Sequence, residues 1–158
     1  MTGITFMKSL RVIWFFVFFT YGVLVGLMPV YAEAGEVKWI FIGFTKYRDA
    51  LYIEMNSISH SSYNIVRVWS LIAPSKKSKY LQEVKRELKK FKKSASGFKY
   101  SEILNEIDCT NSRIRYLQII YLNKEGGTIH TASTSDLEWK PISSGSLWSD
   151  VRNTVCKN

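Results

Sequence analysis

Cysteine and histidine are scarce in this chain, with two of each among 158 residues. Two cysteines exclude a dense disulfide scaffold. His60 and His130 are far apart and fall short of the three or four clustered ligands that a zinc site needs. A C-x-x-C spacing is missing, which argues against a redox pair. No Gly-x-Ser-x-Gly elbow occurs, and Gly126-Gly127 reads as a turn, not as a loop that cradles phosphate. Internal repeats, low-complexity stretches and a linker long enough to split a domain are all absent. Charged residues are 22% of the chain, too few for a disordered acidic or basic tail protein. What is present is 46% hydrophobic and 15% aromatic, enough for the core of one ordinary domain.

The N-terminus sets location. Lys8 and Arg11 precede an apolar run over residues 12–30, interrupted only by Thr20 and Tyr21 among polar side chains. Val30-Tyr31-Ala32-Glu33-Ala34 follows, with small residues at alternate positions. This is the three-part pattern of a secretory signal peptide. Residues 1–32 are therefore expected to be a leader, cleaved after Ala32 or Ala34. The competing reading is an uncleaved inner-membrane anchor, since about 20 apolar residues span a bilayer. Pro29 and the A-x-A spacing favour cleavage. No cysteine lies near the cleavage site, which closes the lipoprotein route. The remainder, residues 37–157, is expected in the periplasm or at the outer cell surface. Export also changes how Cys109 and Cys156 read: an even count in an oxidising compartment points to a structural disulfide, with two free thiols as the alternative.

Residues 38–45 and 50–54 are apolar, β-branched or aromatic and read as strands. Residues 56–62 read as a turn-rich link. Residues 63–73 are the longest clean β segment: Ile65, Arg67, Trp69 and Leu71 share one face, and Val66, Val68 and Ser70 the other. Arg67 on an otherwise apolar face implies a rim position or an ion partner. Residues 98–109, 114–123 and 128–133 are three further strands, the last two joined through Gly126-Gly127 as antiparallel neighbours.

Between the third and fourth of these strands the period changes. Leu81, Val84, Leu88 and Phe91 form one stripe of a helix over residues 79–93, with Gly97 as its terminating residue. Residues 76–93 carry nine Lys or Arg against Glu83 and Glu87, a large part of the formal net charge of +9. Ser144 or Ser146 caps a last helix, in which Leu147, Val151 and Val155 make the apolar stripe. The fold class is α+β: about six antiparallel strands, a basic helix inserted after the third, and a C-terminal helix linked to the sheet by the disulfide.

Candidate chemistry is sparse. Ser59 and His60 are adjacent and point to opposite faces, so they make a poor catalytic pair. His130 reads as a strand histidine. Glu102 and Glu106 share a face and read as solvated. No catalytic residue, metal or cofactor is expected. The basic helix is the one segment with ligand character. Lys85, Lys89, Lys92 and Lys93 form either a solvated face or a contact for anionic lipid or polysaccharide. Export disfavours nucleic acid.

Several short patterns then combine. Tyr52-Ile53-Glu54-Met55-Asn56-Ser57-Ile58 precedes Val66-Arg67-Val68-Trp69. Tyr100-Ser101 and Glu106-Ile107-Asp108-Cys109 follow, then Trp139, Gly145-Ser146 and Cys156. In order and spacing the set resembles the surface-adhesin protein E-like domain family of Gram-negative bacteria, across residues 37–157. Glu54 stands where that family more often has Asp. The resemblance implies a six-stranded antiparallel sheet with a helix held by Cys109–Cys156. It implies a non-enzymatic envelope domain that adheres to extracellular-matrix or serum proteins. It also implies that Glu54, Ser57, Ile58, Trp69, Tyr100, Asp108 and Trp139 organise strand ends and core.

Overall fold

A computed structural model describes residues 37–134 and 138–157 of the chain. The expected leader, residues 1–32, and both cleavage points lie outside the described residues. Within those, no helix is long and apolar enough to cross a membrane.

The elements run β1 (Trp39–Phe44), β2 (Ala50–Glu54), β3 (Ser59–Ser62), β4 (Ile65–Ala73), α1 (Lys79–Lys90), β5 (Phe98–Asp108), β6 (Arg113–Asn123), β7 (Thr128–Ser133), β8 (Lys140–Pro141) and α2 (Leu147–Val155). The main path of the sheet is β1-β2-β4-β5-β6-β7, the six strands expected, all antiparallel. Two short strands are added: β3 pairs with β4, and β8 with β6. In chain order the basic helix thus follows the fourth strand, not the third. The link over residues 56–62 is a 3-10 turn at Met55–Ser57 followed by β3, which places His60 in a strand and not in a loop. Ser59–Ser62 is polar and wholly exposed, so it carries no alternation to reveal it.

Alternation fixes the faces. Val66, Val68 and Ser70 of β4 lie on one side, and their partners Ile107, Asn105 and Ile103 lie with them. Across β5, Ile107, Asn105, Ile103 and Ser101 pair with Ile114, Tyr116, Ile119 and Tyr121 of β6. A bulge in β6 absorbs the extra residue and keeps these side chains together. Both helices pack on this one face. α2 buries Val151 and Val155 against Leu51, Ile53, Val66, Val68, Ile107 and Ile114. α1 buries Val84 and Leu88 against Tyr121, flanked by Tyr80, Phe98 and Ile119. Each such aliphatic side chain contributes about 1.5–3 kcal/mol when fully buried. Ser70, Ser101 and Asn105 form a buried polar seam between the two clusters. Asn105 Nδ2 donates to Ser70 Oγ at 2.9 Å and to the Ile103 carbonyl at 2.8 Å.

The helix ends are locally encoded. Ser78 caps α1, accepting from the Leu81 amide, and Ser146 caps α2, accepting from Ser149. The expected end of α1 is corrected. The helix stops at Lys90, and the left-handed residue that closes it is Lys92 at φ 54°, not Gly97. The Lys93 amide reaches the Leu88 carbonyl at 2.9 Å and the Lys92 amide the Lys89 carbonyl at 3.0 Å, a Schellman closure. Gly97 at φ 80° turns the chain into β5. Phe91 leaves the expected stripe; it is largely exposed and lies against the His130 ring, 4.2 Å between centroids. Gly43 lets α2 come close to β1, since a Cβ there would meet Leu147 at 2.7 Å.

Candidate functional site

The face of the sheet opposite the two helices is lined by no helix among the described residues. It presents Tyr52 beside Leu71, Leu71 beside Glu102, and Glu102 beside Ile120, with Trp69, Leu104 and Gln118 forming the next row. At its β1 edge Phe41 packs edge-on against Phe44, centroids 4.9 Å apart, and against Tyr52 at 5.3 Å. Phe41 is 46% and Phe44 63% exposed. Large aromatic side chains standing in water at a sheet edge mark an interaction surface more often than scattered single apolar residues do.

The other end of this face is ionic. Glu106 is 1% exposed, yet it lies on the open side, directly between Arg67 and Arg115. Arg67 Nε donates to Oε1 at 2.7 Å and Arg115 Nε to Oε2 at 2.7 Å. Burial raises its carboxyl pKa, but the two guanidinium hydrogen bonds outweigh that and hold it below the usual carboxylate range. The Arg67 expected to need an ion partner has one; the Glu106 expected to be solvated is buried and doubly paired. Glu102, by contrast, is pushed up by burial and by the neighbouring charge of Glu54. Asp108 continues the ionic row. It accepts from the Asn111 amide at 2.9 Å, from Asn111 Nδ2 at 2.8 Å and from Arg113 Nη2 at 2.8 Å. Burial raises its pKa, but these donors outweigh that and hold it at about 2. Trp139 spreads its ring over the guanidinium groups of Arg115 at 4.5 Å and Arg113 at 5.6 Å.

The remaining residues singled out in the sequence fall at joints of the sheet. Ser57 Oγ donates to the Glu54 carbonyl at 2.7 Å and accepts from the Trp69 amide at 2.9 Å. It thereby spans the gap in the ladder between β2 and β3, both of which pair with β4. Ile58 packs on the α2 cluster. Tyr100 pairs with Leu122 and sends its hydroxyl toward Gly126 in the β6–β7 turn. Cys109 and Cys156 are bonded, closing 47 residues and tying the end of β5 to the end of α2. Arg152 adds a second tie, its Nη2 donating to the Cys109 carbonyl at 3.0 Å. Lys85, Lys89, Lys92 and Lys93 are exposed, on α1 or just beyond its end, and none has a carboxylate partner among the described residues; their neighbour Lys90 pairs with Glu87. The structure therefore does not bring the lysines and the motif residues into one site.

Among the described residues no three His, Cys, Asp or Glu converge to hold a metal ion. Reasoning from the sequence missed Phe41 and Phe44 as a surface pair, because an apolar strand signals burial on both faces and only pairing shows which face is left open. It also missed Arg115 as the second partner of Glu106, a cross-strand neighbour nine residues away.

Comparison with known proteins completes these observations. A family model described as surface-adhesin protein E matches residues 39–157. Among solved structures, crystal form II of Haemophilus influenzae protein E is similar, with 12% identity and a TM-score of 0.48 over 73% of this chain and 86% of that one. No curated protein matches.

Proposed function

The chain belongs to the surface-adhesin protein E family, and from that premise we propose that it is an exported, non-enzymatic envelope domain whose open sheet face adheres to a host matrix or serum protein. The observation that supports this reading is the solvent-facing aromatic edge of Phe41 and Phe44 beside half-buried Tyr52, with Phe41 and Tyr52 on the side of the sheet away from both helices and Phe44 at its rim, bordering the start of α2. Aromatic anchors of this kind dominate protein interfaces, and a polar rim such as Arg67–Glu106–Arg115 fixes register. Binding of the purified domain to immobilised matrix proteins, measured at about 0.15 M and 0.5 M salt, tests it. An aromatic contact survives the higher salt, whereas charge attraction is screened within about 4–8 Å. Protease treatment of intact cells supplies the location: a domain that is degraded is outside, and a protected one contradicts the adhesive role.

A second reading places the domain in the periplasm, contacting anionic lipid or polymer through α1. The ammonium groups of Lys85, Lys89, Lys92 and Lys93, exposed and without a carboxylate partner among the described residues, favour it. Changing all four to Gln abolishes vesicle binding if that reading holds and leaves it intact if they are a solvated face.

A further inference from the structure

Just beyond Phe44, two turns form a cationic pocket. The β1–β2 turn at residues 45–49 and the β4–α1 turn at residues 74–78 border an open cleft of about 390 Å³ lined by Lys46, Tyr47, Arg48, Ser75, Lys76 and Lys77. Four of these six carry a positive charge, and none of the four has a carboxylate partner among the described residues. A fifth cation stands at the rim: Lys79 Nζ lies 5.4 Å from the Tyr47 ring centroid, with Lys46 Nζ at 5.3 Å.

The pocket is built rather than incidental. Asp49 is buried beneath it and spends its charge inward. Its Oδ1 accepts from the Ser75 amide at 2.9 Å and its Oδ2 from the Thr45 hydroxyl at 3.0 Å. Ser75 Oγ returns a bond to the Tyr47 carbonyl at 2.6 Å. The two turns are thus stapled to each other before any ligand arrives, so their backbones need no ordering on binding and only the cationic side chains do. Between Thr45 and Asp49 the chain is held in a tight turn in which Arg48 takes a left-handed conformation, φ 64°, unfavourable for a side chain with a Cβ. Crowding like charges in one small space costs stability unless an anion relieves it.

We propose that this pocket binds a compact bis-phosphorylated group, carried by a soluble phosphosugar or by a phosphorylated lipid headgroup. The volume exceeds what a lone tetrahedral anion fills and lies in the range of small-molecule sites. Four lining cations match the charge of two phosphates. Lys and Arg are the side chains that recognise phosphate oxygens, Arg by a bidentate fork and Lys as a point charge. The site is independent of the adhesive reading, since it shares no residue with the open face.

Inorganic pyrophosphate is the probe, titrated calorimetrically into the purified domain at 0.15 M salt. The expected result is saturable binding that Lys76→Gln/Lys77→Gln weakens at least tenfold, with Arg48→Gln acting in the same direction. Lys99→Gln/Lys124→Gln, on β5 and in the β6–β7 turn and outside the cleft, leaves it within about twofold. Unligated melting curves show that each variant is folded, and added pyrophosphate raises the melting temperature of the wild type but not of the Lys76/Lys77 variant. Equal weakening by both double variants, or a titration that never saturates, overturns the proposal, because attraction is then diffuse. Phosphatidylcholine vesicles containing a lipid with a bis-phosphorylated headgroup separate the sources. Binding that depends on Lys76 and Lys77 assigns the lipid headgroup; pyrophosphate binding without vesicle binding assigns the soluble one.

Discussion

The hydroxyl of Ser57 makes two hydrogen bonds that no aliphatic side chain can replace. Ser57→Ala leaves the Trp69 amide unpaired at the point where β4 changes partner from β2 to β3. An orphaned amide costs about 1–3 kcal/mol. Chemical denaturation is expected to show a loss of that size, and Ser57→Thr to recover much of it. Asp108 gives a pH signature. Its folded pKa of about 2 lies below the ordinary aspartate value. Its contribution is therefore fully present above about pH 4 and is lost as pH falls from about 4 to about 2, an amount near 2 kcal/mol. Asp108→Asn is expected to lower stability at neutral pH and to flatten the acid limb of the stability curve over that window. At this scale the sequence was only partly legible. That Arg67 wants a counter-ion follows from its apolar neighbours, but that Glu106 is buried between two arginines depends on a register joining residues 39 positions apart.

Elements were more legible than residues where they carry their own local signal. The 3.6-residue stripe and Ser78 mark α1, and Ser146 with Val151 and Val155 marks α2. β3 and β8 were not legible, because one is four polar exposed residues and the other is two residues ending in Pro141; pairing alone makes them strands. The end of α1 was misplaced because glycine is the usual left-handed closing residue, whereas here Lys92 takes that conformation. Lys92→Gly is accordingly expected to raise stability by roughly 0.5–1 kcal/mol, less the entropy that glycine adds to the unfolded chain; a lower melting temperature would show that the Lys92 side chain itself contributes. For α2, a cystine closing 47 residues contributes about 4 kcal/mol by loop entropy. Cys156→Ser, or reductant, is expected to lower the melting temperature by about 10 °C or more. An unchanged curve would mean that Val151, Val155 and the Arg152–Cys109 tie hold the helix without it.

For the whole molecule, the consequence of the topology is asymmetry. One face of the sheet is covered by both helices and split by a polar seam into two clusters. The other is left to aromatic and ionic side chains of the strands themselves. The composition and the run of apolar segments pointed to one β-rich domain with a disulfide, and the family patterns to the same sheet. Which face stays open was beyond both, since it follows from where the helices return. The adhesive account rests on that open face. Its most direct test is the affinity of Phe41→Asp/Phe44→Asp for immobilised matrix protein, compared with wild type at equal melting temperature. The account predicts a loss of at least about tenfold, the cost of losing well-packed aromatic anchors. Unchanged affinity in a folded variant would contradict it and move adhesion elsewhere on the domain.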